Sequence, residues 1–220
     1  MLLYYITDRS QFPGDDTARR RRLLENIAEA ARCGVDYIQL REKDLSSREL
    51  ETLAGEVMAI VHELRTENKE LRTGLLINSR TDIAVTCGAN GVHLRSNDLL
   101  PTEVRKIWSK CGAGTPARVT VGVSCHTPSE VADAAAQGAD FAVFGPVFEK
   151  KAVPDTRPAG LDALRQACRE KIPVLALGGI TLESAELCIQ AGAAGIAGIR
   201  LFQEDEMDKV VRKLRGPTSR

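Results

Sequence analysis

Neither sign of charge predominates in this 220-residue chain, where 30 Lys and Arg stand against 30 Asp and Glu. A neutral balance gives no electrostatic reason to expect nucleic-acid or membrane partners, and leaves only local anion sites. Cysteine occurs six times but never as a C-x-x-C pair, and its spacing fits no zinc pattern. Four of the six lie in apolar or Ala/Gly-rich runs, where cysteine acts as a small hydrophobe; this usage is expected of a cytoplasmic protein. No run approaches the roughly 18 apolar residues of a transmembrane helix. The opening residues, MLLYYITDRSQFPGDD, lack a basic n-region and a long apolar h-region, so no secretory leader is expected. A linker is also missing, so residues 1–220 are expected to form one domain. A chain of this length buries roughly 70% of its unfolded surface.

What the chain does contain is a repeat. CGVDYIQL, CGANGVHL, QGADFAVF and AGAAGIAGI each place a glycine (Gly34, Gly88, Gly138, Gly192) between a helical pattern and a short apolar run. A glycine there can adopt the left-handed conformation that ends a helix, and the apolar run then reads as a buried parallel strand. Four more strands fall between them: LLYYI, GLLIN, VTVGV and PVLALGG. Strands thus recur about every 25–30 residues, the length of one βα unit. Helices are expected over Arg22–Arg32, Ser47–Glu67, Pro101–Lys110, Pro128–Gln137, Leu161–Glu170, Leu182–Gln190 and Glu206–Leu214. Ser46 with Glu49, and Thr127 with Glu130, fit the capping box. Eight such units predict a closed (β/α)8 TIM barrel, an α/β fold; an open doubly wound sheet is the alternative. Active sites of such barrels lie at the carboxyl ends of the strands. The loop Glu149–Gly160 is therefore placed as a lid, and Lys110–Arg118 is a second candidate for mobility.

The strand ends carry the polar residues. After the second strand come Gln39, Arg41 and Lys43, which alternation sends to one side, where Arg and Lys can hold a phosphate or pyrophosphate. The competing reading is a surface salt-bridge cluster with Glu42 and Asp44. Asn78 and Asp98, after the third and fourth strands, are oxygen donors of the kind that hold Mg2+ beside a pyrophosphate, but also common turn residues. His93 lies inside an apolar strand and reads as a packed, hydrogen-bonded histidine. Ser124 and His126 end the fifth strand without a nucleophile elbow or an orienting acid, so a hydrolase triad is not expected. Ser124 can donate a hydrogen bond; His126 is either a general acid or base, or packed near a helix start. Gly178, Gly179 and Gly198–Ile199–Arg200 let backbone N–H groups approach an anion.

In this order the pieces resemble the thiamine-phosphate synthase and TenI family. The most specific parts are QLREKDLSSREL at Gln39, GANGVHLRSNDL at Gly88, VGVSCHT at Val121, FGPVF at Phe144 and ALGGIT at Ala176. The resemblance implies joining of a hydroxymethylpyrimidine diphosphate to a thiazole phosphate with Mg2+, pyrophosphate leaving before the thiazole nitrogen attacks. It assigns Gln39, Arg41, Lys43 and Asn78 to the pyrimidine diphosphate, Asp98 to Mg2+ and Ser124 to the reacting centre. Gly178, Gly179 and Ile199 fall to the thiazole phosphate. A homodimer is an assembly to test.

Three positions depart from the family pattern. Where synthases carry a second carboxylate for the metal, this chain has Ser79, whose neutral hydroxyl coordinates directly or through water. The Thr-x-Thr-Lys pattern of the sixth loop is replaced by Lys150-Lys151-Ala152-Val153, in which Lys150 or Lys151 can supply charge from another place. Arg200 stands where Ser is usual, and either holds phosphate or points away. These changes keep two alternatives open: a TenI-like thiazole tautomerase, in which His126 moves the proton without Mg2+, and a non-catalytic phosphate-binding barrel.

Overall fold

The computed structural model describes residues 1–111, 118–149 and 157–216. Its strands are β1 (Leu2–Ile6), β2 (Tyr37–Leu40), β3 (Gly74–Asn78), β4 (Gly91–Leu94), β5 (Thr120–Cys125), β6 (Phe141–Phe144), β7 (Val174–Ala176) and β8 (Gly195–Gly198). They pair in chain order, all parallel, and β8 returns to β1 from Leu2↔Gly195 to Tyr5↔Gly198. The barrel is closed, as the repeat predicts. Around it run α1 (Asp16–Arg32), α2 (Ser47–Glu67), α3 (Thr81–Thr86), α4 (Pro101–Lys110), α5 (Pro128–Ala136), α6 (Gly160–Ala167), α7 (Ala185–Gln190), α8 (Arg200–Gln203) and α9 (Met207–Arg215). No helix among the described residues is long and apolar enough to cross a membrane.

The four repeat glycines have φ of 80°, 68°, 79° and 105°, each just past α1, α3, α5 or α7. This is the left-handed turn that releases the chain into the next strand. Helix starts follow caps more closely than apolar periodicity. The first helix begins at Asp16 rather than Arg22, because Asp15 accepts from the Ala18 N–H. Ser46 and Glu49 form the full capping box of α2. Thr127 caps α5, but Glu130 accepts from the His126 N–H and not from Thr127, so that box is only half made. Hydrogen bonds between Thr181 and Ser184 hold the chain before α7, which starts at Ala185 instead of Leu182.

Outward residues of the strands pack under the helices in one continuous core. Inward ones form a second cluster of Tyr4, Ile6, Leu76, Phe141, Val143, Leu175 and Ala197. The seam between β8 and β1 closes because Gly195 has no side chain: a Cβ there would lie 2.1 Å from the Leu2 carbonyl oxygen. Gly195→Val is expected to cost about 1–3 kcal/mol or more through overpacking. Equilibrium urea unfolding reads the cost, and a midpoint equal to wild type would show that the seam yields freely.

Candidate active site at the carboxyl ends of the strands

At the end of β2, Gln39 remains inside the barrel, while the chain leaves strand geometry after Leu40. Arg41 is half-buried and Lys43 exposed. The acids between and beyond them turn the other way. Glu42 is buried, accepts from the Thr7 hydroxyl at 2.6 Å and the Arg9 N–H at 2.9 Å, and pairs with the Arg9 guanidinium. Asp44 pairs with the same guanidinium at 2.6 Å. Burial pushes the Glu42 carboxyl up, and hydrogen bonds from Thr7 and Arg9 oppose this. The salt-bridge cluster anticipated here therefore exists, but Arg9 is its cation. Arg41 and Lys43 have no ion pair or side-chain hydrogen bond among the described residues. The Arg41 backbone N–H is fixed by Thr7 at 3.0 Å, which tethers the loop while leaving the guanidinium unpaired.

Across the mouth, Asn78, Ser79 and Asp98 come together. Ser79 is in the left-handed region at φ 59°, unusual for a residue other than glycine. From there its hydroxyl donates to Asp98 Oδ2 at 2.6 Å and accepts from Asn78 Nδ2 at 3.2 Å. Asp98 also accepts from the Arg95 N–H at 2.8 Å and pairs with its guanidinium at 3.1 Å. Partial burial pushes the Asp98 carboxyl up, but the bonds from Ser79 and Arg95 prevail and hold it below the usual range. Among the described residues no three His, Cys, Asp or Glu side chains are arranged to hold a metal. The donor set still fits Mg2+, which commonly takes one or two carboxylates and completes its shell with substrate phosphates and water. Asp98 would be the anionic ligand and Ser79 the neutral one, with the Asn78 amide nitrogen hydrogen-bonded to that hydroxyl.

Between these two banks runs a buried hydrogen-bonded chain. Gln39 Nε2 donates to Tyr4 Oη at 2.9 Å, Tyr4 Oη lies 3.1 Å from His93 Nδ1, and His93 Nε2 lies 2.8 Å from Ser124 Oγ. His93 is thus packed and hydrogen-bonded, as anticipated, yet it also touches the serine at the mouth. Burial, then the positive charge of Arg41, pushes its imidazole down to about 3, so it is neutral at physiological pH. Beside Ser124 a cavity of about 110 Å³ opens, lined in part by Arg95, Asp98, Leu99 and Glu130.

His126 lies just beyond β5 and is exposed, its Nδ1 hydrogen-bonded to the Gly145 carbonyl at 2.6 Å. A carbonyl only accepts, so Nδ1 carries the proton and Nε2 is left as an acceptor. Gly178 and Gly179 have φ of 97° and 64°. The need for glycine at 179 is closer packing than the anion argument alone requires: a Cβ would lie 2.4 Å from the Glu149 carbonyl oxygen. The N–H groups of Gly179, Ile199 and Arg200 have no hydrogen-bond partner among the described residues, and Arg200 opens α8. Lys150, Lys151 and Val153, most of the expected lid, and the Gly/Thr/Pro-rich part of the Lys110–Arg118 loop lie outside the described residues.

Tyr4, Thr7 and Arg9 did not stand out in the sequence. Tyr4 had a signal, since period-two alternation from Leu2 and Ile6 turns it inward. Arg9 lay in no periodic segment.

Comparison with known proteins places the chain in a family. The family described as thiamine monophosphate synthase matches residues 3–202. The chain is 37% identical to the thiamine-phosphate synthase of Syntrophomonas wolfei, covering 97% of this chain and 94% of that one. It is 34% identical to that of Methanoculleus marisnigri, covering 97% and 93%. Thiamine phosphate pyrophosphorylase from Pyrococcus furiosus superposes with a TM-score of 0.76 at 28% identity, over 97% of this chain and 93% of that chain. Since the match runs through all eight strands and every strand end described above, the chain belongs to the thiamine monophosphate synthase family.

Proposed function

We propose that the protein is a thiamine-phosphate synthase, a transferase that couples hydroxymethylpyrimidine diphosphate to thiazole phosphate and releases pyrophosphate. The observation that carries this reading is the unpaired, half-buried Arg41 guanidinium. It shares a mouth with Asp98, Ser79 and Asn78, while the neighbouring acids are taken up by Arg9. Gln39 and Asn78 hold the pyrimidine end, and Arg41 and Lys43 hold the diphosphate. Ser124 stands at the reacting centre. Gly178, Gly179, Ile199 and Arg200 receive the thiazole phosphate, with Lys150 as a further cation from the sixth loop.

The C–O bond to the pyrimidine methylene breaks with its electron pair leaving on pyrophosphate; the thiazole nitrogen lone pair then forms the C–N bond. Arg41 and Lys43 present fixed positive charge where negative charge develops, which is the largest lever such a site has. Mg2+, held by Asp98 and Ser79, would neutralise the leaving group further. The Ser124 hydroxyl and the barrel walls keep the reacting carbon oriented and shielded from water.

The free Nε2 of His126 favours a second reading, the tautomerase, in which this nitrogen takes a proton from one position of a thiazole phosphate carboxylate and returns it at another. One experiment separates them. The protein is incubated with both substrates, and separately with the thiazole tautomer, as wild type and as His126→Ala. Expected are many turnovers of thiamine phosphate, with His126→Ala retaining activity within about threefold, since it loses no charge facing the diphosphate. Isomerisation abolished in His126→Ala, without coupling in wild type, would establish the tautomerase. Binding without turnover of any substrate would leave a phosphate-binding barrel.

A further inference from the structure

We propose that Tyr4 and His93 are positioning residues that turn the Ser124 hydroxyl proton outward, as a hydrogen-bond donor to the oxygen departing with pyrophosphate. The catalytic consequence rests on the synthase reading; the polarity of the chain is a property of the protein alone.

The direction of the chain follows from donor and acceptor counts. The Gln39 amide gives an N–H to Tyr4 Oη. The single phenolic proton is then directed at the neighbouring acceptor, His93 Nδ1. A neutral imidazole accepting at Nδ1 carries its proton on Nε2 and donates it to Ser124 Oγ. With that oxygen already accepting from inside, the serine's own proton is left to face the mouth. The chain is shielded from bulk solvent, since Tyr4, Gln39 and His93 are 0%, 1% and 2% exposed. Burial keeps the Tyr4 phenol protonated.

The imidazole is clamped in register. Gly122 pairs with His93 across β4 and β5, and a Cβ on it would lie 3.0 Å from His93 Nδ1 and 2.5 Å from the Phe141 ring. The ring therefore has little freedom to turn. In a low-dielectric interior each donated bond polarises the next, so the outermost hydroxyl becomes a better donor than an isolated serine. The reverse polarity would need a turned Gln39 amide and a proton on Nδ1. It would also point serine lone pairs at an anionic leaving group.

Two measurements test the proposal. Long-range 1H–15N spectra of the histidines, with His93 assigned by its loss in His93→Gln, are expected to show a bare Nδ1 and a protonated Nε2. A proton on Nδ1 would overturn the polarity, whatever the protein catalyses. In kinetics, Tyr4→Phe and His93→Leu are expected to lower kcat for thiamine phosphate by ~10–100-fold, below the loss from removing a direct donor. KM for the pyrimidine diphosphate should stay within about threefold. His93→Gln, whose amide can donate to Ser124 as Nε2–H does, should recover most of kcat. Equal losses in the Gln and Leu variants, or a normal kcat in Tyr4→Phe, would reduce the chain to packing. Tyr4→Phe keeps the ring and carries the kinetic test should His93→Leu fail to fold. Failure of the wild type to make thiamine phosphate would remove the catalytic reading, while the spectra would still decide the polarity.

Discussion

Arg41→Ala is expected to lower kcat for thiamine phosphate formation by ~100–1,000-fold, the cost of removing one preorganised donor from developing negative charge. The size follows from what the guanidinium lacks. Arg41 is half-buried and carries no side-chain partner among the described residues, while Glu42 and Asp44, its neighbours in sequence, are held by Arg9. Burial pulls its affinity for a proton down; the nearby Asp8 and Glu42 carboxylates oppose this without pairing with it, and the Arg95 charge adds to the fall, yet a guanidinium remains charged throughout the accessible pH range. A desolvated, unpaired cation is costly to keep. An anionic diphosphate relieves that cost, most of all when negative charge concentrates on the leaving oxygen. Arg41→Lys retains the charge but loses the planar fork, and is expected to recover only part of the rate. Lys43 is exposed, so water screens it, and Lys43→Ala should cost about tenfold or less. Pyrophosphate release under saturating substrates reads all three. Arg41→Ala turning over within threefold of wild type would place the diphosphate elsewhere.

The same residues show how much was legible beforehand. Closure of the barrel was readable because the chain repeats a physical device, a left-handed glycine between helix and strand, at Gly34, Gly88, Gly138 and Gly192. Strand ends were readable to within two residues except at β7, which stops at Ala176, three residues before the end of PVLALGG; this placed Gln39, Asn78, Ser124 and Asp98 at one mouth. What periodicity does not encode is partner choice. Arg41 and Arg9 look equally able to pair with Glu42, and the choice is made by the turn at Arg9–Gln11, whose Asp8 cap carries no apolar pattern. The six-residue helix α3 has no side-chain cap and too few apolar positions to stand out. The Tyr4–His93 contact joins residues 89 apart, and only barrel closure with a defined register brings them together. Gly179 was readable as an anion position, but its contact with the Glu149 carbonyl was not, since it depends on how the sixth loop folds back.

Chelation is expected to abolish thiamine phosphate formation, and Ser79→Asp to lower the Mg2+ concentration needed for half-maximal rate by about tenfold, a difference of ~1.4 kcal/mol. In the protein alone Asp98 is satisfied: Ser79 and the Arg95 N–H occupy one oxygen, and the Arg95 guanidinium the other. A cation must displace some of these bonds. The Arg95 side chain is 63% exposed, and a pair of that kind contributes no more than about 1 kcal/mol, so it yields readily. The Ser79 hydroxyl need not leave, because it can turn its lone pairs to the cation. It adds no charge, however, and wild type is left with one anionic protein ligand. Aspartate suits the replacement because it tolerates the left-handed backbone found at Ser79 better than most residues. Without metal, the second carboxylate also removes the Ser79–Asp98 hydrogen bond and faces Asp98 with a like charge, raising the Asp98 pKa. The metal-free variant is thereby destabilised, and Mg2+ is expected to raise its Tm more than that of wild type. Calorimetric titration of Mg2+ with pyrophosphate present, together with melting curves with and without chelator, measures both effects. A Ser79→Asp variant with unchanged Mg2+ dependence in rate and Tm would show that the cation binds away from Asp98.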